Sequence, residues 1–224
     1  MSDAVVLVAH GSPDPRSSET VRRIAAASRV RVGFLEFDRP DPVEVLCEMA
    51  DRGADRAVAL PLLLTGAYHW RTDLPEVARR AEEERPGLTV TVARPVGDES
   101  LARALVRGVP EGVDGLAVLA AGTRVDEGRE HVAAVAAAAG ILLDVPSCAG
   151  FASGPGPDGG EAVRRLRSAG CERVAAACYF IAPGRLCDLA AESARSAGAV
   201  HVGPPLGAAP ELVDMIAVRA GQSS

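Results

Sequence analysis

The sequence predicts an α/β protein made of two tandem Rossmann-like or flavodoxin-like units, each a four-stranded parallel sheet flanked by helices, with the active cleft between them. Short, continuously apolar runs alternate with helix-length segments, as parallel strands joined by right-handed crossovers require. Gly, Pro and capping residues mark each change of period. The whole series then occurs a second time.

The elements follow in order. The first strand is Ala4–Ala9, and Gly11-Ser12-Pro13-Asp14-Pro15 forms the loop after it. Ser17 or Ser18 caps a helix running to about Ser28. Residues 30–37 are the second strand, and Asp41-Pro42 opens a helix that ends near Gly53, with Pro in its first turn. Residues 56–64 are the third strand, which leads through Gly66 to His69. Asp73 and Glu76 have capping-box spacing, so a helix is expected from there to about Arg85, stopped by Pro86-Gly87. Residues 88–93 make a fourth strand and 99–107 a fourth helix.

The repeat is read from three echoes. Leu116–Thr123 echoes Val5–Ser12, the segment from Gly170 echoes that from Gly53, and the segment ending at Gly207 echoes that ending at Gly97, at offsets of 111, 117 and 110 residues. The chain is therefore a tandem duplication of residues 1–112 and 113–224. The second strand of the second half is placed at 141–145, and the glycine-rich run 154–160 is expected to be an additional, exposed and mobile loop.

Composition excludes several function classes. A chain of 224 residues that is 48% hydrophobic can bury a full core. The net charge of −6 and the even spread of Arg argue against a nucleic-acid partner. All 24 basic residues are Arg, a compositional bias that also removes Schiff-base and Walker-type lysine chemistry. The five Cys show no C-x-x-C spacing, against a zinc knuckle or an iron–sulfur motif. An odd Cys count without a secretory segment points to reduced thiols in the cytoplasm. The longest nearly apolar run, 132–143, is far short of the roughly 20 residues needed to span a bilayer, so no membrane role is expected.

The duplication allows the two halves to be compared. Where the first half has His10, the second has Ala121; where the first has Gly66 to Asp73, with His69, the second has the shorter Ala182 to Asp188. The scaffold is kept while both His are lost together, which assigns the chemistry to the first half and leaves the second as a wall of the cleft. Two imidazoles at the ends of neighbouring strands can hold a divalent transition metal or accept a proton. Glu36, at the end of the second strand, is the third candidate. Phe34 and Phe37 are expected to pack beside it and raise its affinity for a proton or a cation. Two imidazoles and a carboxylate make an open metal site.

These segments resemble the sirohydrochlorin chelatase family, the class II tetrapyrrole chelatases. The likeness rests on Val8-Ala9-His10-Gly11-Ser12, Gly33-Phe34-Leu35-Glu36-Phe37 with Pro40, and Leu60 to Gly66 leading to His69 and Asp73-Leu74-Pro75. It covers nearly the whole chain, because the long form of that family is a duplicated unit with one active half. The resemblance implies ATP-independent insertion of Fe²⁺ or Co²⁺, with Ni²⁺ a further possibility, into sirohydrochlorin for sirohaem or cobalamin synthesis. It implies no permanently bound cofactor. The family's two metal-site His fall on His10 and His69, and its acidic helper on Glu36.

A polycarboxylate substrate needs cationic and hydroxyl donors, and Arg16, Arg71, Arg124, Ser12 and Thr123 are the candidates. Loop amides at Gly11-Ser12 and Gly122-Thr123 can also receive carboxylates at helix N-termini. Tyr68 and Trp70 can stack on a macrocycle or close their own loop. A non-catalytic metal or tetrapyrrole carrier would use the same His pair. A phosphate-handling hydrolase is disfavoured, because no G-x-S-x-G elbow and no phosphate-loop Lys is present. His131 is expected on the surface, His201 in a strand, Asp73 as a cap, and Cys178 and Cys187 in the core. A duplicated chain is expected to be monomeric.

Overall fold

A computed structural model describes residues 4–65 and 70–221, with Trp70 and Arg71 by their main chain alone. The chain runs β1 (Ala4–Ala9), α1 (Pro15–Ala27), β2 (Arg31–Phe34), α2 (Pro42–Asp51), β3 (Arg56–Pro61), α3 (Trp70–Glu84) and β4 (Thr89–Val92). A 3₁₀ turn (Glu99–Leu101) leads into α4 (Ala102–Val106). It continues with β5 (Gly115–Ala120), α5 (Asp126–Leu143), β6 (Ser147–Phe151), α6 (Gly159–Ser168), β7 (Val174–Cys178), α7 (Arg185–Ser196), β8 (His201–Pro205) and α8 (Pro210–Gly221).

The two sheets have the same order, β2-β1-β3-β4 and β6-β5-β7-β8, and every pairing is parallel. Each sheet is covered by helices, so its central strands are buried on both faces and are apolar throughout. Val6, Leu7, Val8 and Ala9 of β1 are buried, as is all of β5. On one face of the first sheet, Val6 and Val8 pack with Val43, Leu46, Leu74 and Val77 of α2 and α3. Val21, Ile24 and Ala25 of α1 are also buried. In the second sheet, Leu119 and Ala176 pack with Val163, Leu166, Ala190 and Ala194 of α6 and α7. None of the five cysteines forms a disulfide, and all but Cys148 are buried.

Compactness divides the chain differently from the repeat boundary at 112/113. One unit is Met1–Val96 with Leu212–Ser224, and the other is Gly97–Glu211. The segment that ends each repeat therefore packs away from its own repeat. Leu101, Ala102 and Leu105 are buried in the second unit, where α4 lies against α5. Leu212, Ile216 and Arg219 of α8 are buried in the first, with Arg219 Nε donating to the Pro95 carbonyl at 3.1 Å. Sequence echoes report common descent, whereas compactness reports where apolar faces find cover.

Four expectations are corrected. Residues 141–143 end α5 instead of starting a strand, and the second strand of that half is Ser147–Phe151. The Ala-rich helix carries on through Ile141 and Leu142, which are exposed, until Asp144 adopts a left-handed conformation and caps it. Residues 154–160 are not an insertion: Phe151 to Asp158 matches Phe34 to Asp41 in length. Gly159 and Gly160 are buried at the start of α6, where a Cβ would strike the Ala190 and Ser193 carbonyls at 2.6 and 2.9 Å. Asp73 is not a cap, since α3 begins at Trp70; Pro75 lies inside the helix and forfeits a single main-chain bond. Asp73 instead supplies a carboxylate to the positive first turn. At α1, Asp14 is the cap and Ser17 and Ser18 lie within the helix.

The caps of α2 and α6 are equivalent. Asp41 accepts the Val43 amide at 2.8 Å while Glu44 receives the Asp41 amide, a full capping box. Asp158 accepts the Glu161 amide at 2.8 Å and the Ser193 hydroxyl at 3.2 Å. Asp41→Ala should cost about 1 kcal/mol and lower the melting midpoint by about 2–4 °C, checked by thermal denaturation. The Glu161 amide, with smaller help from Ser193, holds the Asp158 carboxyl below the usual carboxylate range. Its stabilisation is present above the unfolded pKa and is lost as pH falls through the lower folded one. Asp158→Asn should therefore flatten the acid limb of the urea midpoint, measured between about pH 5 and pH 2.

Candidate functional site

Parallel pairing on both sides of β1 brings the C-terminal ends of β1, β2 and β3 to one edge of the sheet. That edge is where open α/β sheets place their ligands. The β1–β2 ladder does not stop at the strand ends. The Leu35 amide donates to the Ala9 carbonyl at 3.0 Å, and the Glu36 amide donates to the His10 carbonyl at 2.9 Å. His10 and Glu36 are thus held side by side by the main chain, and both side chains are exposed. Among the described residues, neither the imidazole nor the carboxylate is engaged by another side chain.

The close approach depends on glycine. Gly11 has φ +93°, and a Cβ there would sit 1.8 Å from the Glu36 carbonyl oxygen. Only a residue without a side chain lets the loop turn away directly after His10.

On the other flank, the Leu62 amide donates to the Val8 carbonyl at 2.9 Å, carrying the β1–β3 ladder one residue past β3. The chain then enters the segment containing Tyr68 and His69. Both lie outside the described residues, so the expected pairing of the two imidazoles falls there as well. Among the described residues, no group of three or more His, Cys, Asp or Glu side chains is arranged to hold a metal.

The candidate carboxylate-binding residues stand differently from one another. Arg16 is engaged by the Asp14 carboxylate, with Nη2 at 2.6 Å and Nε at 3.0 Å. Its guanidinium holds the Asp14 carboxyl below its ordinary range. A substrate carboxylate would meet a neutralised pair there, and the N-terminus of α1 already has a carboxylate on it, since Asp14 also accepts the Arg16 amide at 3.0 Å. Ser12 Oγ accepts the Asp14 amide at 3.1 Å and shapes the same loop. Thr123 Oγ1 accepts the Val125 amide at 3.1 Å in the second unit. Arg124 is exposed beside it, with no partner among the described residues. The side chain of Arg71 is not described.

The second unit repeats this local geometry without its chemistry. The Ala152 amide donates to the Ala120 carbonyl at 2.8 Å, as Leu35 does to Ala9. Gly122 has φ +97°, with a Cβ position 1.9 Å from the Ser153 carbonyl oxygen, matching Gly11 against Glu36. Phe34 and Phe151 both donate main-chain bonds of 2.9 Å, to Pro40 and Pro157. Ser153 therefore stands where Glu36 stands, and Ala121 where His10 stands. The side chains that the second half lacks therefore include the carboxylate as well as the imidazole. The sequence reading missed this pair because it placed the second strand at 141–145. Aligning Phe34 to Asp41 with Phe151 to Asp158 reveals it.

Two further expectations change. Phe37 does not pack with Phe34: Phe34 is 1% exposed and Phe37 is 65% exposed. Glu36 beside it is exposed, so the apolar surround expected for it is not formed. His131 is not a bare surface residue, since its Nε2 lies 2.9 Å from the hydroxyl of Tyr179. Tyr179 is itself buried, and burial pushes its phenol up. His201 lies in β8 as expected.

Gly11→Ala should cost about 3 kcal/mol, because the new methyl must displace the Glu36 carbonyl as well as adopt a left-handed backbone. Gly53→Ala is the control: Gly53 has φ +95° but open space around its Cβ position, so only the backbone cost of about 1 kcal/mol applies. Urea denaturation of the two variants checks the difference.

Similarity to known proteins follows the same repeat. The CbiX family model matches residues 4–110 and again residues 115–223. A sirohydrochlorin cobaltochelatase from Saccharolobus solfataricus is 34% identical over 119 residues, 48% of this chain and 93% of that protein. The structure of SirB from Bacillus subtilis with Fe³⁺ superposes with a TM-score of 0.83 at 21% identity, covering 100% of this chain and 96% of that one. A sirohydrochlorin chelatase SirB from Bacillus subtilis subspecies spizizenii, in complex with cobalt, gives a TM-score of 0.83 at 18% identity over 100% of this chain and 95% of that one. With the family model matching nearly the whole chain in two copies, and both copies folding alike, this protein belongs to the CbiX family.

Proposed function

We propose that this protein inserts Co²⁺ or Fe²⁺ into sirohydrochlorin without ATP, using His10, His69 and Glu36 of the first unit. One observation carries the reading. Two copies of one fold share the main-chain bond at the strand end and the glycine turn after it, and only the first copy places an imidazole and a carboxylate there. Family membership and the cobaltochelatase and iron- and cobalt-bound relatives support the substrate class.

The reaction dictates what the site must do. A free tetrapyrrole carries two inner N–H protons, and both must leave as the M²⁺ ion enters. A neutral imidazole can donate its lone pair to the ion or accept a ring proton. His10 and His69 are the two imidazoles in this reading. Each holds the incoming ion, takes a proton, or does both in sequence. The exposed Glu36 carboxylate, bonded through its main chain to His10, passes the protons to solvent. Positioning ring and ion together lowers the entropic part of the barrier. For the substrate carboxylates we propose Arg16, Arg71 and Ser12 of the first unit and Arg124 and Thr123 of the second. Among these, Arg16 would have to share its guanidinium with Asp14.

Anaerobic incubation of sirohydrochlorin with Co²⁺, Fe²⁺ or Ni²⁺, followed by its visible spectrum, tests the proposal. Metal insertion should exceed the protein-free rate, and the ion with the highest kcat/KM identifies the preferred metal. His10→Ala and His69→Ala should each lower kcat/KM by about two to four orders of magnitude, and Glu36→Gln by about tenfold. No acceleration with any of the three ions overturns the enzyme reading. Tight binding without turnover would instead mark a carrier. Full activity in His10→Ala would remove that residue from the site.

A further inference from the structure

We propose that Phe37 is a substrate-contact residue, an exposed ring presented beside Glu36 to pack on the plane of the tetrapyrrole. The inference rests on the chelatase reading above and adds a residue to it.

The backbone at Phe37 is unusual. Its φ is +63°, in the left-handed region that a bulky side chain rarely enters. The Asp38 amide donates to the Glu36 carbonyl at 2.7 Å, closing a three-residue turn around Phe37. With positive φ at its centre, this is the rare and strained hand of the γ-turn. Strain of this kind persists only where its surroundings over-determine it. They do so here. Glu36 is bonded to the His10 carbonyl, and the Phe34 amide to the Pro40 carbonyl at 2.9 Å. Arg22 lies over the Phe34 ring at 4.9 Å and donates to the Arg39 carbonyl at 2.8 Å. The capping box of Asp41 and Glu44 fixes the far end of the loop.

The ring stands largely outside the core. Of the four Phe in the chain, Phe37 is the one exposed, at 65%. An apolar ring in water at a strained position is disfavoured on both counts.

The second unit shows the solution that needs no such sacrifice. Gly154 occupies the equivalent position with φ +79°. Glycine satisfies the same turn in the unit that has Ala121 and Ser153, whereas phenylalanine stands in the unit that has His10 and Glu36. A macrocycle presents a broad π-face, and an exposed aromatic ring is its natural complement. A ring fixed next to the carboxylate can hold the substrate plane in register with the groups that handle ion and protons.

The test uses the full chain and sirohydrochlorin itself. Metal-free sirohydrochlorin is titrated into wild type, Phe37→Gly and Phe37→Tyr, and melting midpoints and the KM for Co²⁺ are measured in parallel. Phe37→Gly should raise the Kd for the macrocycle about tenfold, while Phe37→Tyr stays near wild type. The KM for Co²⁺ should be unchanged in both. The melting midpoint of Phe37→Gly should equal or exceed that of wild type, because glycine relieves the turn. A Kd for Phe37→Gly within about twofold of wild type overturns the inference while leaving the chelatase reading intact. A melting midpoint that falls together with affinity makes Phe37 a structural residue and overturns it as well. A wild type that neither binds nor metallates sirohydrochlorin overturns the chelatase reading and this inference with it.

Discussion

β1 is bonded to β2 on one side and β3 on the other, in the same direction along its length, and the site depends on that constraint. A buried parallel strand has no freedom to shift register, because its main-chain groups must all be paired. The ladder therefore carries past the last strand residue and delivers the His10 carbonyl to the Glu36 amide. Gly11 then turns the chain away without striking Glu36. Sheet geometry, rather than side-chain contact, sets imidazole and carboxylate next to each other.

The same constraint operates in the second unit with a different outcome. β5 is central and doubly paired, Gly122 turns in the same way, and a main-chain bond again links the loop ends. Chemistry at this edge is therefore separable from stability. Ala121, Ser153 and Gly154 occupy positions that in the first unit hold His10, Glu36 and Phe37. Each of the latter is exposed. A duplicated chain can lose reactive groups from one copy because the scaffold does not need them.

Charge at the site is more economical than composition suggests. Arg is abundant, yet Arg16 is bound to Asp14 at the start of α1, so the cation nearest in sequence to His10 is largely neutralised. The Asp-Pro-Arg sequence carries that signal: an Asp cap followed by Arg within one turn forms its own ion pair. Arg124, in the second unit, is exposed and has no such competitor among the described residues.

Much of this was legible from residues alone. The parallel sheets follow from alternating periods and right-handed crossovers, and the two halves from their echoes. His10 and Glu36 were marked by lying at strand ends. Local rules failed where a second influence overrode them. Ile141 and Leu142 have the composition of a strand, but the Ala-rich helix ahead of them propagates through to a cap at Asp144. Phe37 was expected to pack on Phe34 because apolar neighbours in an alternating strand are easily paired by eye; the strand ends at Phe34, and the turn beyond it sends the ring into solvent.

Sequence by itself determined that strands and helices alternate, that the series occurs twice, and that the second copy lacks the two His of the first, since these depend on periodicity and residue identity. Only the tertiary structure decided that Glu36 is bonded to His10, that Ser153 is its counterpart, that Phe37 is strained and exposed, and that α4 and α8 pack away from their own repeats. Those facts depend on main-chain hydrogen bonds and apolar cover between segments far apart in the chain, and no local pattern encodes them.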